Sequence, residues 1–231
     1  MGKICVYEYF GFIPYNRALE LQQRLAHARV QSLIPDTLLL LQHPPVFTLG
    51  RFRGKQEIIV SKEVLRHEGI EVYHTNRGGS VTYHGPGQLV GYPIINLKGY
   101  GFGVREYIWK LEQVVIKLLG SLDIEGRRRE EFMGGIWVGN EKICSIGIHV
   151  SHYVTMHGFA MNVNTNLKHF DLINPCGIKG AVMTSVSKVL DKNIEVEALV
   201  EPLLSVFAEE FDVKYEEGLG KCPTISGVRN G

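Results

Sequence analysis

The chain of 231 residues carries 25 Lys+Arg against 24 Asp+Glu, a formal charge of +1. That balance argues against nucleic acid as the main partner, because phosphate binding normally leaves an excess of basic charge. With 45% hydrophobic and 21% charged residues, the composition is that of a globular protein and excludes a disordered one.

The longest apolar run lies near Thr37 to Leu41, far short of the roughly 20 residues a bilayer crossing needs, so no membrane partner is expected. The opening Met1-Gly-Lys-Ile-Cys-Val-Tyr-Glu-Tyr-Phe has neither the apolar core of a signal peptide nor the Arg/Ser bias of a transit peptide. Cys5, Cys144, Cys176 and Cys222 stand far apart and form no CxxC pair, which speaks against a zinc cage or a disulfide framework. A reduced, cytoplasmic chain is expected.

Residues 3–10 read as a strand, and Pro14 opens a helix at its first turn. Leu19, Leu21, Leu25 and Ala26 mark its apolar stripe. Residues 37–42 are a continuous apolar run of strand length; after His43-Pro44-Pro45 a second run covers 46–49, and both suit a buried sheet. Ser61 caps a short helix to about His67, and residues 70–74 return as a strand. The glycine-rich stretch 77–103 contains a strand at 88–97. Residues 104–122 form an amphipathic helix with Ile108, Leu111, Val115, Leu118 and Leu119 inward.

The charge run 127–131 reads as a solvated loop or as a docking patch for an acidic partner. Residues 136–138 and 141–150 flank Gly139-Asn140, a two-residue hairpin turn, and 153–163 adds the third strand of a meander. A helix covers 195–211, and the last dozen residues are expected to fray. Helices interspersed with mostly antiparallel strands predict a single α+β domain over residues 1–215, with a flexible C-terminal tail over 216–231.

Four places could carry chemistry. The densest is Arg77-Gly-Gly-Ser-Val-Thr-Tyr-His-Gly-Pro-Gly-Gln-Leu-Val-Gly-Tyr-Pro, where glycines allow close backbone approach and polar groups converge. It is no phosphate loop, for neither GxxxxGK[ST] nor GxGxxG after a strand is present. Composition alone leaves open a plain turn between strands, with His84 a hydrogen-bonded structural residue. In Ile173-Asn-Pro-Cys176-Gly-Ile the cysteine sits on a turn constrained by Pro175 and Gly177. Such a turn can present sulfur to a cleft, although a lone cysteine is more often a small buried hydrophobe.

Strand alternation puts Lys142 on one face with Cys144, Ile146 and Ile148, and Ile143, Ser145, Gly147 and His149 on the other. A lysine on an apolar face either snorkels at a sheet edge or serves a site, and Cys144 is then a rival thiol. In His157-Gly-Phe-Ala160, the small residues mark either close approach of a ligand or backbone, or a glycine bulge.

Together these stretches resemble the lipoyl(octanoyl) transferases. The match rests on the Arg77 to Pro93 motif, on Gly135-Ile-Trp-Val with Lys142-Ile-Cys-Ser-Ile-Gly, on His157-Gly-Phe-Ala-Met-Asn-Val, and on Asn174-Pro-Cys-Gly-Ile with Thr184-Ser. Leu41-Gln-His-Pro-Pro-Val-Phe-Thr-Leu-Gly-Arg fits too, and Ser80 is a mild departure from the family's commoner polar residues. The resemblance implies the catalytic-domain fold of biotin and lipoate protein ligases, with mixed, mostly antiparallel sheets packed with helices. It implies Cys176 as nucleophile and Lys142 as its catalytic partner. It implies an acyl pocket lined by Arg77, Gly78, Gly79, Ser80, Val81, Thr82, Tyr83 and His84, by Ser145, Ile146 and Gly147, and by Gly158, Phe159 and Ala160.

The implied reaction moves octanoyl from octanoyl-acyl carrier protein to a lysine of lipoyl domains, on the E2 subunits of 2-oxoacid dehydrogenases and on the glycine cleavage H protein. Thioester to amide is downhill, so neither ATP, nor metal, nor another cofactor is expected. Two alternatives share the fold: an ATP-dependent lipoate–protein ligase, which would not need Cys176, and a catalytically silent binding member.

Overall fold

The computed structural model describes residues 2–52, 57–129, 133–174 and 182–218. A seven-stranded mixed sheet organises the chain, in the order β10-β1-β2-β6-β9-β8-β7. Its strands are β1 (Lys3–Phe12), β2 (Asp36–Gln42), β6 (Gln88–Ile94), β7 (Gly135–Val138), β8 (Glu141–Ser151), β9 (Val154–Asn162) and β10 (Val213–Glu217). β1 pairs in parallel with β2 and β10, and every other neighbour in this sheet is antiparallel. A second sheet of three strands sets β3 (Val46–Leu49) between β4 (Glu71–His74) and β5 (Val81–His84).

The apolar run of β2 explains the layering. Leu38 and Leu40 enter one core and Leu39 and Leu41 the other, and all four are fully buried. On one face lies α1 (Tyr15–Val30), contributing Ala18, Leu21, Leu25 and Ala28. On the other lie α3 (Val104–Gly120) and α4 (Val200–Phe211), contributing Leu111, Leu118, Leu203 and Phe207 among others. A third cluster joins the small sheet to α2 (Lys62–His67) and to the 3-10 segment Leu167–Leu172, through Phe47, Leu65, Tyr83 and Phe170. Ser61 caps α2 as expected, its hydroxyl accepting from the Val64 N–H. No helix among the described residues is long and apolar enough to cross a membrane.

Several expectations shift. The strand expected over 88–97 ends at Ile94, and Leu97 opens a 3-10 turn under the Asn96 cap. The C-terminal helix starts as a 3-10 turn, Val196–Leu199, and becomes α-helical at Val200. Pro202 in the first turn lacks the N–H that would have bonded residue 198, so the α ladder cannot begin earlier. Val81–His84 is a full strand within the glycine-rich stretch, paired with β3. β10 carries pairing to Glu217, two residues past the expected 215/216 boundary.

The arginine run is solvated only in part over its described residues: the Arg127 side chain is exposed, while its backbone and the next two side chains are engaged. The Arg127 backbone exchanges two hydrogen bonds with Trp137, and Arg128 pairs with buried Glu112 at 2.8 Å. Arg129 lies over the Trp137 ring at 4.5 Å.

β6 and β9 meet through glycine. A Cβ on Gly158 would lie 2.2 Å from the Gly91 carbonyl, and one on Gly91 would enter the Phe159 ring. Gly158→Ala should therefore push β9 off β6 and cost about 1–3 kcal/mol, the usual range for overpacking. Urea unfolding measures it; an unchanged midpoint would show that the strands separate freely.

Candidate active site

A cavity of about 280 Å³ opens between the Arg77 loop, β8 and β9. Its wall includes Arg77, Gly78, Gly79, Ser80, Val81, Thr82 and His84, then Lys142 with Ser145, Ile146 and Gly147, then Gly158, Phe159 and Ala160. Segments far apart in sequence thus converge on one cavity. Tyr83 does not line it. One step along β5 reverses a side chain's direction, and Tyr83 packs in the third cluster with its hydroxyl 2.7 Å from His169 Nδ1. Cys176 lies outside the described residues.

Tyr15, Tyr92, Met133, Gly134 and His157 also line the cavity. The motif containing Tyr92 and the one containing His157 were visible in the sequence. Tyr15 was not: it arrives only because α1 lays its first turn across the sheet.

Lys142 reaches the wall through a register break. β7 and β8 pair Ile136 with Cys144 but Trp137 with Lys142, leaving Ile143 as an extra residue. This bulge undoes the expected alternation. Cys144 and Ile143 both turn into the core, whereas Lys142 borders the cavity with Ser145 and Gly147. Lys142 is only 3% exposed, with its Nζ 5.9 Å from the Trp137 ring centre. Gly135 makes room for it, for a Cβ there would stand 2.5 Å from Lys142 Cε. The Lys142 backbone bonds the segment that resumes after the Pro-Cys-Gly stretch: its N–H donates to Val182 O at 2.8 Å, and its carbonyl accepts from Thr184 N–H at 2.9 Å. Before that stretch, Asn174 N–H donates to Glu57 O.

Cys144 is unsuited to act as a thiolate. Burial pushes its thiol up to about 12, against the smaller opposing pull of Lys142. Of the two readings left open at 157–160, the glycine bulge is absent, for β8 and β9 keep one register from Cys144 to Val154. Close backbone approach at Gly158 is what its small size serves.

Arg77 is buried and its guanidinium is held by the cavity wall. Nε and Nη2 donate to Thr48 Oγ1 at 3.2 and 2.9 Å, Nη2 also to Thr48 O, and Nη1 to Gly78 O. The nearby imidazoles are neutral. Burial lowers His43 to about 4 and His157 to about 3; it also holds His84 well below the ordinary value, with His43 adding to the effect. His43 Nδ1–H donates to Ile13 O at 2.7 Å, so its Nε2 accepts from the Tyr92 hydroxyl at 2.9 Å. The Ser80 hydroxyl, also on this wall, is buried without a hydrogen-bond partner among the described residues; the uncharged imidazoles nevertheless lower the cost of admitting an apolar chain.

Residues 14–208 match the lipoyl protein ligase A/B catalytic domain, and the chain belongs to that family. It is 49% identical to an octanoyltransferase of Caldicellulosiruptor saccharolyticus over 90% of this chain and 88% of that one. A lipoate-protein ligase A crystallised with ATP shares the fold at a TM-score of 0.74 and 17% identity, over 94% of this chain and 89% of the other. The biotin protein ligase of Aquifex aeolicus is more distant, at a TM-score of 0.51 and 14% identity over 92% and 70%. The α+β fold of the biotin and lipoate ligase catalytic domains is thereby established.

The neutral histidines make stability depend on pH. Their folded values lie below the ordinary 6.5, so between there and about 4 the unfolded chain binds protons that the folded chain refuses. Stability is full above about pH 6.5 and falls on acidification, by about 1.4 kcal/mol per pH unit for each such proton. Denaturant midpoints should drop steeply between about pH 6 and 4. His43→Gln should be less stable at pH 7 yet show a shallower slope. Midpoints that stay level down to pH 4.5 would mean the imidazoles charge within the fold.

Proposed function

We propose that this acyltransferase moves an octanoyl group from octanoyl-acyl carrier protein to the amine of a specific lysine on lipoyl domains, through a thioester on Cys176. Membership of the family and the octanoyltransferase names of its relatives support octanoyl transfer in protein lipoylation. The observation that carries the finer reading is Lys142: a buried lysine side chain on the cavity wall, with its backbone bonded to Val182 and Thr184, six and eight residues after Cys176 in sequence.

The energetics are sufficient. A free thiol has a pKa near 8.5, and lowering it to about 6 takes roughly 3.4 kcal/mol. An ammonium about 4 Å away supplies about 4 kcal/mol at an effective dielectric of 20, before desolvation. The Cys176 thiolate attacks the thioester carbonyl, the carbon–sulfur bond to the carrier breaks, and Lys142 gives its proton to the departing thiolate. In the second half the acceptor lysine enters as a neutral amine and attacks the enzyme thioester. Its surplus proton passes to the now neutral Lys142, and Cys176 leaves as thiolate. Protons and charges balance over the cycle.

Burial of the acyl chain is worth about 0.8 kcal/mol per methylene, so a hexanoyl donor should react roughly 10-fold more slowly in kcat/KM. Gly78→Val tests the pocket assignment, since a Cβ there meets only contacts at 3.6 and 3.9 Å and the substitution is structurally mild. It should impair octanoyl transfer while leaving the melting temperature nearly unchanged. Equal loss of both would favour a plain structural turn.

Intact-mass analysis after mixing with octanoyl-carrier protein, without ATP, should show one octanoyl group on the peptide bearing Cys176. Cys176→Ala should abolish it and Cys144→Ala should keep it. A requirement for ATP would make the chain a ligase instead. Lys142→Arg keeps a charge that does not deprotonate, so it should retain the alkylation profile of Cys176 yet lose on the order of 10²-fold or more in transfer. Wild-type transfer by a variant that also alkylates normally would remove the proton-carrying role.

A further inference from the structure

A line of buried hydrogen bonds runs from Arg77 to the backbone of Lys142, and its directions are determined. Asn162 Nδ2 donates to the Thr184 carbonyl at 2.9 Å, which leaves Asn162 Oδ1 as an acceptor. Gln88 Nε2 donates to that oxygen at 2.9 Å and to Tyr83 O at 3.2 Å, so Gln88 Oε1 is an acceptor too. His84 Nδ1 lies 2.8 Å from it and must carry the proton, leaving Nε2 bare. Thr48 Oγ1, already accepting twice from Arg77, stands 3.4 Å from that Nε2 and donates to it. Backbone carbonyls at Tyr83 and Thr184 forbid turning either amide over.

Thr48, His84, Gln88, Asn162 and Thr184 are each at most 7% exposed, so the line exchanges little with water. Its far end is the useful one. Thr184 O accepts from Asn162 while Thr184 N–H donates to Lys142 O, so one peptide segment is clamped between β9 and β8. That segment follows the Pro-Cys-Gly stretch in sequence, and Thr184 lies eight residues after Cys176.

We infer that Asn162 is a positioning residue for acyl transfer. Through the Thr184 carbonyl it holds the backbone beside Lys142, and through Gln88 and His84 it ties that backbone to the wall of the acyl cavity. The inference rests on the roles proposed for Cys176 and Lys142. Asn162 touches neither donor nor acceptor in this account; it acts through the spacing of the two reacting groups, where a displacement of about 1 Å is worth on the order of 10²-fold in rate.

Asn162→Leu keeps the approximate shape and removes both bonds, and Gln88→Met cuts the line at its middle. The measurements are single-turnover acylation by octanoyl-carrier protein, its dependence on donor concentration, and the rate of Cys176 alkylation against pH. Asn162→Leu should lower the maximal acylation rate by roughly 10- to 100-fold with donor affinity changed less than about threefold, and should raise the pH at which Cys176 alkylates. Gln88→Met should show the same pattern, more weakly. Should Asn162→Leu fail to fold, Gln88→Met alone decides.

A rate loss accompanied by an equal loss of donor affinity, with the alkylation profile unmoved, would make the line purely structural and overturn the inference. Wild-type acylation by a folded variant would overturn it as well. If the wild-type chain itself takes up no octanoyl on Cys176, the parent reading has failed, and that outcome is distinct because it needs no variant.

Discussion

Burying the Arg77 guanidinium obliges the surrounding chain to supply acceptors, and much of the cavity follows from that obligation. A guanidinium has five N–H donors in a fixed plane and does not deprotonate, so each must be met locally. Thr48 on β3 meets two directions with one hydroxyl and one carbonyl, and Gly78 meets a third. The loop is thereby drawn over the end of the small sheet until Gly50 and Gly79 nearly touch. A Cβ on Gly50 would lie 2.3 Å from the Gly79 carbonyl, so only glycine permits the approach. The charge also helps to keep His84 and His157 neutral.

The opposite wall has a different origin. β8 would place Lys142 among apolar neighbours if it ran regularly, and an ammonium there would have to leave the core or lose its charge. One extra residue at Ile143 resolves the conflict: the core keeps Ile143 and Cys144 while Lys142 is rotated to the cavity. Trp137 and Gly135 on β7 then give the lysine an aromatic face and a gap to lie in. Glu112 on α3 secures the adjoining rim, accepting from Gly134 N–H at 3.1 Å while paired with Arg128.

The layers were legible wherever a pattern was long. The run 37–42 announced a strand buried on both faces, the stripe of α1 a helix on a sheet, and Gly139-Asn140 a hairpin. Hidden features depended on a partner distant in sequence. Nothing local marks Ile143 as extra, since the bulge exists only in register with β7. Val81–His84 is a strand because β3 waits beside it, and its neighbouring glycines masked the β-forming residues. The arginine run looked solvated throughout, yet Arg128 is drawn to buried Glu112 on α3 while Arg127 stays exposed. Motif resemblance located the cavity wall better than periodicity did, yet it assigned Tyr83 to that wall, where alternation along β5 turns it away.

The fold alone does not set the chemistry, which is decided by the groups the fold brings together. On the proposed roles of Cys176 and Lys142, the two groups must be held at a set distance, and the described residues beside Lys142 are held by buried polar groups. The Lys142 backbone is fixed to Thr184, Thr184 to Asn162, and Asn162 through Gln88 and His84 to the wall that Arg77 organises. Such a buried hydrogen-bonded line resists displacement because breaking one of its bonds leaves an unpaired group in low dielectric. An apolar packing of the same residues would fill the space yet tolerate small shifts, which is the tolerance a paired nucleophile and proton carrier cannot use.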